Sequence, residues 1–413
     1  MAQKSGFIRK RKAQQIAERI KGGTAVITGF ENEHNMFFLD RPMAVQTVSR
    51  GIVLPRKETE NGPMWGLGGV CEEDGNFVAL SAYDGGWATQ GGAYPYEKPE
   101  YQDLDVVYFG LYFTHWGHFL VDLMGRLWYY AKGLADGKQL KLAYIGEEEP
   151  KGNFLEIFTL LGIAPEDMIH VTEPTQFRSV TVPEFSCKSC EWYSEEYRSI
   201  FDAMIARVAA DGYAPEDLQA MEKVYFSRMS FGKARHSEFG ENNIAHWLAA
   251  NGFTAVAPEK LSVRDQIYLW NHAREIACLD GSIPMSLAFS NNPQLKLTIL
   301  HKTSLEHLNV ELYLLMRPCN VTLLDTWYEP FKGYPKNIGA GPFLLHLGED
   351  AAEYSAQRGW DFPFTRQQLQ KDKRKNCVKL AWRILDLDTR LRILASKLLP
   401  QAVKDGLRRL RHG

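Results

Sequence analysis

Hydrophobic and polar residues follow two different rhythms along the chain. Between residues 24 and 104, short apolar runs are separated by glycine-rich turns, which is typical of short strands. From residue 106 onward, apolar runs alternate with longer segments whose apolar side chains recur at helical spacing. Strands and helices that alternate in this way predict parallel sheets with helical crossovers. The chain is therefore predicted to be an α/β protein with a β-rich lead-in.

The alternating part divides into two blocks, which predict two α/β units, each with its own sheet. The first block covers residues 104–215 and predicts strands at 106–113, 140–145, 168–171 and 179–182, with helices at 116–133, 152–162 and 192–212. The second covers residues 216–345 and predicts strands at 223–228, 253–256, 275–279 and 295–300, with helices at 240–251, 262–273 and 283–290. A predicted break at 211–217 separates the two units.

Both ends of the chain are basic and have a helical pattern. Residues 1–22 predict a leader helix, and residues 1–103 together lead into the first block. Residues 346–413 predict a helical tail, in which the stretch 371–411 carries thirteen Lys and Arg against four Asp and Glu. Such a helix either touches an anionic membrane surface or packs over the neighbouring unit with its basic face in solvent. The pattern leaves both interpretations open.

Composition narrows the class of protein without changing the fold. The 413 residues exceed one hydrophobic core, and a formal net charge of −2 gives no indication of nucleic-acid binding. The N-terminus lacks the apolar segment of a signal peptide and no run is long enough to cross a membrane, so we expect a cytoplasmic protein. Six cysteines are scattered, and the lone CxxC pair, Cys187 and Cys190, is interpreted as two incidental thiols.

The predicted helix at 116–133 carries the first candidate site. His118, Asp122 and Arg126 are four residues apart, so a regular helix places them on one face among bulky apolar residues. Titratable side chains in such a place are costly unless they pair or serve a site. They form either a base with its orienting carboxylate, or a structural Asp122–Arg126 salt bridge beside a hydrogen-bonded core histidine.

The second block carries residues suited to a phosphate. Gly281 and Ser282 lie in a turn between a strand and a helix, at the edge of a parallel sheet where ligands bind. Glycine lets a phosphate approach the backbone, Ser282 can cap the helix, and the helix offers free N–H groups. Arg228 ends the strand that opens this block, and Lys233 and Arg235 follow in the loop. These cations either clamp a diphosphate or form a solvated basic loop.

Several common motifs are missing from the sequence. There is no phosphate-binding Walker loop, no HExxH and no GxSxG. The DxD triplet at 103–105 precedes its strand, whereas a metal-binding DxD is expected after one, and the triplet at 386–388 lies in the helical tail. We therefore predict no metal site and no cofactor.

Taken together, these pieces resemble glycosyltransferase family 61. The run WGHFLVD at 116–122, followed by RLW at 126–128, is similar to the signature of bacterial members. Further pieces follow in the family's order: YFSR at 225–228, Glu241 before a helix, the GF, PE, LS and Q positions between 252 and 266, and IACLDGS at 276–282. Two positions depart from the pattern, because Gly240 replaces an asparagine and Asp280 replaces the histidine of many members.

The resemblance implies a GT-B architecture, in which two Rossmann-like domains face each other across a cleft. It also implies an inverting, metal-independent transfer from a nucleotide sugar, expected to be UDP-linked, to a glycan acceptor. His118 or Asp122 would be the base. The donor would bind to a set of six residues, namely Arg228, Lys233, Arg235, Glu259, Gly281 and Ser282. Bacterial members commonly build capsule or other surface polysaccharides at the inner face of the cytoplasmic membrane, which the basic tail would suit.

Two other functions stay open at this point. The departures at Gly240 and Asp280 allow a non-catalytic member that binds glycan or scaffolds a polysaccharide-assembly complex. A related transferase that moves a pyruvyl or phosphoryl group would also fit a GT-B fold.

Overall fold

The computed structural model describes residues 25–27, 37–138, 140–232, 237–305, 307–331, 334, 339 and 341–385, with the backbone alone at 25–27. Three predictions fall outside these residues: the leader helix at 1–22, the loop cations Lys233 and Arg235, and the part of the basic tail beyond residue 385.

Nineteen strands are described, in two large sheets and three short two-stranded ones. In chain order they are β1 Ala25–Ile27, β2 Val45–Ser49, β3 Ile52–Lys57, β4 Leu67–Cys71, β5 Tyr83–Asp84, β6 Thr89–Gln90, β7 Glu100–Tyr112, β8 Leu140–Gly146, β9 Met168–His170, β10 Thr175–Pro183, β11 Cys187–Lys188, β12 Trp192–Tyr193, β13 Lys223–Phe226, β14 Glu238–Phe239, β15 Thr254–Val256, β16 Glu275–Leu279, β17 Lys296–His301, β18 Asn320–Asp325 and β19 Phe343–Leu344.

The longer helices confirm most of the predicted ones. They are α1 Asn153–Leu160, α2 Glu195–Ala210, α3 Glu216–Gln219, α4 Glu241–Ala250, α5 Val263–His272, α6 Leu308–Met316, α7 Glu349–Arg358 and α8 Arg366–Ile384. The helix predicted at 283–290 is a short 3-10 helix, Pro284–Phe289. The continuous helix predicted at 116–133 is wrong in form, because residues 116–131 make a broken helix: an α-turn, a π-turn at Phe119–Leu123, a 3-10 turn and a second α-turn.

The first large sheet has seven strands in the order β4-β3-β10-β7-β8-β9, with β2 also paired to β10. Strands β7 to β10 pair in parallel, as the alternation predicts. The lead-in strands β2 and β3 pair antiparallel with β10, so they belong to this sheet and make it mixed. Strand β7 is a central strand of this sheet, and it is buried from Val106 to Tyr112.

The second large sheet has six strands in the order β1-β18-β17-β16-β13-β15. All neighbours are parallel except β1, which pairs antiparallel with β18. Numbered along the chain from β13, the parallel strands run 2-1-3-4-5, a doubly wound order. In such a sheet the chain turns in opposite directions from β13 and from β16, which opens a crevice at their carboxyl ends.

Hydrophobic cores lie on both faces of the second sheet. Tyr225 and Ala277 point toward α4, α7 and the start of α8, while Val224 and Ile276 point toward α5, the 3-10 helix and α6. The latter core continues into α1, α2 and the broken helix beneath the first sheet. One apolar layer therefore joins the two sheets.

The described part of the basic tail packs against the second sheet's side of the molecule. Leu369 and Leu380 of α8 are buried, and Tyr328 donates to the Lys373 carbonyl oxygen at 2.9 Å. Among the described residues, Trp382 and Leu385 at the end of α8 remain exposed. The packing interpretation thus holds for α8 as far as Leu380.

Candidate active site

His118 and Asp122 form a hydrogen-bonded pair in the broken helix. His118 Nδ1 lies 2.8 Å from Asp122 Oδ2, and the Asp122 side chain is 1% exposed. The phenol of Tyr83 donates to the other carboxylate oxygen, Oδ1. With both carboxylate oxygens occupied, Asp122 holds the imidazole with Nδ1–H toward itself. Nε2, the other ring nitrogen, can then accept a proton from a substrate.

Tyr83 reaches this pair from the β5–β6 hairpin. Burial, together with the charge of Asp122, raises the pKa of Tyr83, so the phenol keeps its proton and remains a donor. No local pattern predicts this contact, because Tyr83 lies 39 positions before Asp122 in the lead-in.

Aromatic rings surround the His118 imidazole. Trp87 stacks on it with centroids 5.1 Å apart and an interplanar angle of 23°, while Trp65 and Phe113 approach edge-on, each with a 5.8 Å centroid separation. The His118 side chain nevertheless keeps 32% of its surface exposed. The base candidate is therefore held in position and remains open to a substrate.

Arg126 does not pair with Asp122, so that part of the prediction is wrong. Its guanidinium donates to four backbone carbonyl oxygens, those of Pro183 at 2.8 Å, Phe109 at 3.3 Å, Leu80 at 2.7 Å and Ala82 at 3.2 Å. The reason is the change of helical pitch, because a π-turn followed by a 3-10 turn breaks the four-residue periodicity after Asp122.

A bulge in β7 makes room for this guanidinium. The register between β7 and β8 shifts between Tyr108 and Gly110, and Gly110 has a φ of +113°. A Cβ on Gly110 would lie 2.8 Å from Arg126 Nη1. Glycine here serves both the left-handed backbone and the close approach of Arg126.

At the crevice of the second sheet, two cations converge on a glycine. A Cβ on Gly281 would lie 3.2 Å from Lys302 Nζ and 3.6 Å from Arg228 Nη1. The carboxylate of Glu238 lies between the two cations, 3.2 Å from Arg228 Nε and 3.1 Å from Lys302 Nζ. The three side chains carry a net charge of +1, which suits an anionic ligand at Gly281.

Lys302 is a candidate site residue that the sequence pattern did not single out. It follows β17 directly, as Arg228 follows β13 after one residue, so the rule that selected Arg228 would have found it. It is only 4% exposed. A buried ammonium at a strand end, next to the crevice, has the character of a ligand-binding group.

Glu241 shapes the turn that carries Arg228. Its Oε1 accepts hydrogen bonds from Tyr225 Oη at 2.9 Å, Ser227 Oγ at 2.9 Å and the Arg228 backbone N–H at 2.7 Å. Burial raises the pKa of Glu241, although these donors favour its charged form. Glu241, which the sequence pattern places before a helix, therefore fixes the carboxyl end of β13.

Asp280, the second departure from the family pattern, is paired with a histidine. His307 Nδ1 lies 3.1 Å from Asp280 Oδ1, and the Gly281 backbone N–H donates to the same oxygen at 2.6 Å. Burial disfavours the charged carboxylate, but His307, with His301 and Lys302 nearby, holds the pKa of Asp280 below its ordinary value. The pair fixes the conformation of the Gly281 turn.

Ser282 does not cap the helix that follows, so this prediction is wrong. The 3-10 helix begins at Pro284, its N-cap is Ile283, and its N-cap makes no side-chain hydrogen bond. Proline at the first position also removes one N–H group. A phosphate here would rely on the cations, because the Gly281 N–H already donates to Asp280 Oδ1.

The two candidate regions meet through Gly117 and Ser282. A Cβ on Gly117 would lie 3.4 Å from the Ser282 Cβ, and Trp116 Nε1 donates to Ser286 Oγ at 3.3 Å. The residue that precedes His118 therefore packs against the residue that follows Gly281. The fold brings the histidine–aspartate pair and the cationic turn to one place.

Glu259 lies apart from these contacts, exposed on the turn Pro258–Lys260 after β15. Its donor-binding role stays a prediction. Lys233 and Arg235 fall in the segment that the structure does not describe.

Other features of the sequence have structural partners. Asp103 and Asp105 both bond to Arg178, at 3.3 Å and 2.6 Å. Burial raises the pKa of the Cys187 and Cys190 thiols, and neither is in a disulfide. Within the described ranges, no group of three or more His, Cys, Asp or Glu side chains is arranged to hold a metal ion, and no helix is long and apolar enough to span a membrane.

Comparison with known proteins identifies the class of enzyme. The sequence model of the family Glycosyltransferase 61 matches residues 116–295, a stretch that begins just before His118 and ends just before β17. No curated protein matches the chain. The resemblance seen in the sequence is confirmed, and the match includes His118, Asp122, Arg228 and Gly281. The chain carries a glycosyltransferase family 61 domain, and the protein is a glycosyltransferase.

Proposed function

We propose that the enzyme transfers a sugar, with inversion and without a metal ion, from a UDP-linked donor to a glycan acceptor. The observation that carries this proposal is the contact of Gly117 with Ser282, which sets a proton acceptor beside a cationic crevice. An inverting transfer needs these two groups on opposite sides of the anomeric carbon.

In the proposed reaction, His118 Nε2 takes the proton of an acceptor hydroxyl. The hydroxyl oxygen attacks the anomeric carbon, a new C–O bond forms, and the bond from that carbon to the diphosphate oxygen breaks. The diphosphate leaves with the electron pair, toward Arg228 and Lys302. Asp122 stabilises the imidazolium that forms, and Tyr83 keeps Asp122 in place. A single in-line displacement inverts the anomeric configuration.

The donor is proposed to lie in the crevice between β13 and β16. The 2-1-3-4-5 strand order supports this choice, because doubly wound sheets bind nucleotides where the order reverses. The Gly281 turn and the buried Lys302 lie at that edge. We propose that the two sheets correspond to the two Rossmann-like halves of a GT-B enzyme, with the acceptor on the first-sheet side.

The two departures from the family pattern do not weaken a catalytic interpretation. Asp280 is hydrogen-bonded to His307, so a histidine ring is present at this turn although it comes from another position. Surface-polysaccharide synthesis is the role that we propose, and the exposed Trp382 and Leu385 on the basic helix α8 would suit a membrane-associated acceptor.

A donor-binding screen tests the nucleotide site. UDP-sugars should raise the melting temperature of the wild-type protein by mass action, with or without EDTA. Arg228→Ala should weaken UDP affinity roughly 10- to 100-fold, because it removes a charge-assisted hydrogen bond of about 1.5–3 kcal/mol. Titration calorimetry with UDP provides the affinities.

The matched control is Arg207→Ala, since Arg207 on α2 is 59% exposed and away from the crevice. It should bind UDP like the wild type. Unchanged affinity in Arg228→Ala would remove Arg228 from the donor site, and a strict requirement for Mg²⁺ or Mn²⁺ would contradict the metal-free mechanism. A pyruvyl- or phosphoryl-transfer donor that stabilises the protein when nucleotide sugars do not would overturn the proposed reaction.

A further inference from the structure

Trp87 is an exposed indole in the turn of the β5–β6 hairpin. It is 45% exposed, whereas Tyr83 and Ala88 in the same hairpin are 4% and 3% exposed. An indole that keeps this much surface in water contributes little to the core, and a large aromatic ring in such a position is characteristic of a binding surface.

The hairpin holds Trp87 in a fixed place. The β5–β6 turn is closed by the Gly85 N–H bond to the Ala88 carbonyl oxygen at 2.9 Å, and Lys188 Nζ contacts Asp84 at 3.3 Å. Trp65 meets the Trp87 ring edge-on at 5.1 Å. The indole is therefore preorganised, which lowers the entropic cost of binding a ligand on it.

The same hairpin serves the proposed base. Tyr83 donates to Asp122, and four residues later Trp87 stacks on the His118 ring, 5.1 Å away. Because 5.1 Å exceeds the about 3.5–4 Å of directly overlapping rings, the imidazole is offset and leaves part of that indole face uncovered. A molecule on the uncovered part of the same face is next to the imidazole. The group that must approach His118 is the acceptor hydroxyl, since the cations for the diphosphate are at the second sheet.

We propose that Trp87 is the stacking platform for the acceptor sugar, a pyranose unit with one apolar face of axial C–H bonds. The negative face of an indole attracts such C–H groups, and the ring's hydroxyls stay free at its rim. Stacking would then present one hydroxyl to His118 Nε2. This inference rests on the proposed function, and it adds the class of acceptor and the residue that selects it.

Trp87→Ala and Trp87→Phe test the platform, with Tyr101→Ala as the matched control because Tyr101 is an aromatic side chain that is 46% exposed at the start of β7. The acceptor probes are methyl pyranosides of gluco, galacto, manno and 2-acetamido-2-deoxygluco type, with the UDP-sugar that the donor screen selects. Trp87→Ala should raise the acceptor KM about 10- to 100-fold, Trp87→Phe should raise it less, and Tyr101→Ala should leave it unchanged. UDP affinity should be the same in all four proteins.

An unchanged acceptor KM in Trp87→Ala would overturn the platform while leaving the transferase intact. A loss of UDP affinity in Trp87→Ala would overturn it as well, because the indole would then serve the donor. Failure of the proposed function looks different, since the wild type would then neither bind UDP nor transfer a sugar. Matching melting temperatures establish that the variants are folded.

Discussion

At the scale of single residues, Arg126 shows how a buried cation can be stabilised without an acid. Its four carbonyl partners come from β7, the loop that precedes β5, and the end of β10, and its guanidinium lies 3.9 Å from the Phe185 ring centroid. Burial lowers the pKa of Arg126 to about 10, so it is still protonated at neutral pH. Arg126 therefore ties the hairpin that carries Tyr83 and Trp87 to the first sheet.

Arg126→Met is expected to destabilise the protein by roughly 3–5 kcal/mol, because it leaves buried carbonyl groups without donors. Urea unfolding measures the change. The solvent-exposed Arg207→Met should stay within about 0.5 kcal/mol of the wild type. A loss below about 1 kcal/mol in Arg126→Met would mean that the carbonyl network contributes little.

Sequence spacing left a His118–Asp122 pair as one of two interpretations, and the structure has a hydrogen bond between the two side chains. The same four-residue spacing wrongly predicted a contact between Asp122 and Arg126, because a π-turn is not visible as a change in residue spacing. Tyr83 and Trp87 could not be predicted at all. They reach the site through hairpin pairing in a glycine-rich segment, and such contacts are set by tertiary structure alone.

At the scale of elements, the start of α4 explains why Gly240 replaces an asparagine. Gly240 has a φ of +110°, which favours glycine, and a Cβ there would lie 2.4 Å from the Leu345 carbonyl oxygen. Leu345 follows β19, which pairs with β14 beside the crevice. Glycine lets this short sheet pack against the turn that leads to Glu241.

Gly240→Ala should therefore lower the free energy of unfolding by more than the strain of a left-handed backbone conformation would by itself. Gly162→Ala is the matched control, because Gly162 has a φ of +81° and nothing lies within 4 Å of its Cβ position. The control should lose about 1–2 kcal/mol, and Gly240→Ala about 1–3 kcal/mol more because of overpacking. Thermal and urea unfolding give both values. Equal losses at the two positions would rule out the steric explanation.

Most strands and helices followed from apolar periodicity, because it reports which side chains face a core. The 3-10 helix at Pro284–Phe289 was the weakest prediction among the later elements. All six of its residues are buried, so periodicity could not distinguish a 3-10 from an α-helix. The Pro284 at its start explains why Ser282 is no cap.

At the scale of the whole molecule, the sequence predicted two sheets but not how the chain crosses between them. Strand β1 comes before all strands of the first sheet, yet it pairs with β18 of the second. The lead-in strands β2 and β3 pair with β10, which lies more than a hundred residues later in the chain. Pairings over such distances leave no local pattern, so the lead-in could be recognised as β-rich and no more.

The candidate site is also assembled by contacts between distant parts of the chain. The Gly117–Ser282 and Trp116–Ser286 contacts join the broken helix to the second sheet, and one apolar layer supports both sides. The fold thus brings the candidate base on the broken helix close to the cations at the edge of the second sheet. The resemblance to the family implied that these two motifs face each other, while their separate spacings in the sequence did not.

The most direct test of this arrangement is a pair of measurements on His118→Ala, namely sugar transfer and UDP affinity. Transfer should fall by about 10²–10⁴-fold, as is typical for loss of a general base, while UDP affinity stays at the wild-type value. Asp122→Asn should lose transfer in the same way, and His246→Ala, on the exposed face of α4, should lose none. Wild-type transfer rates in both His118→Ala and Asp122→Asn would contradict the account.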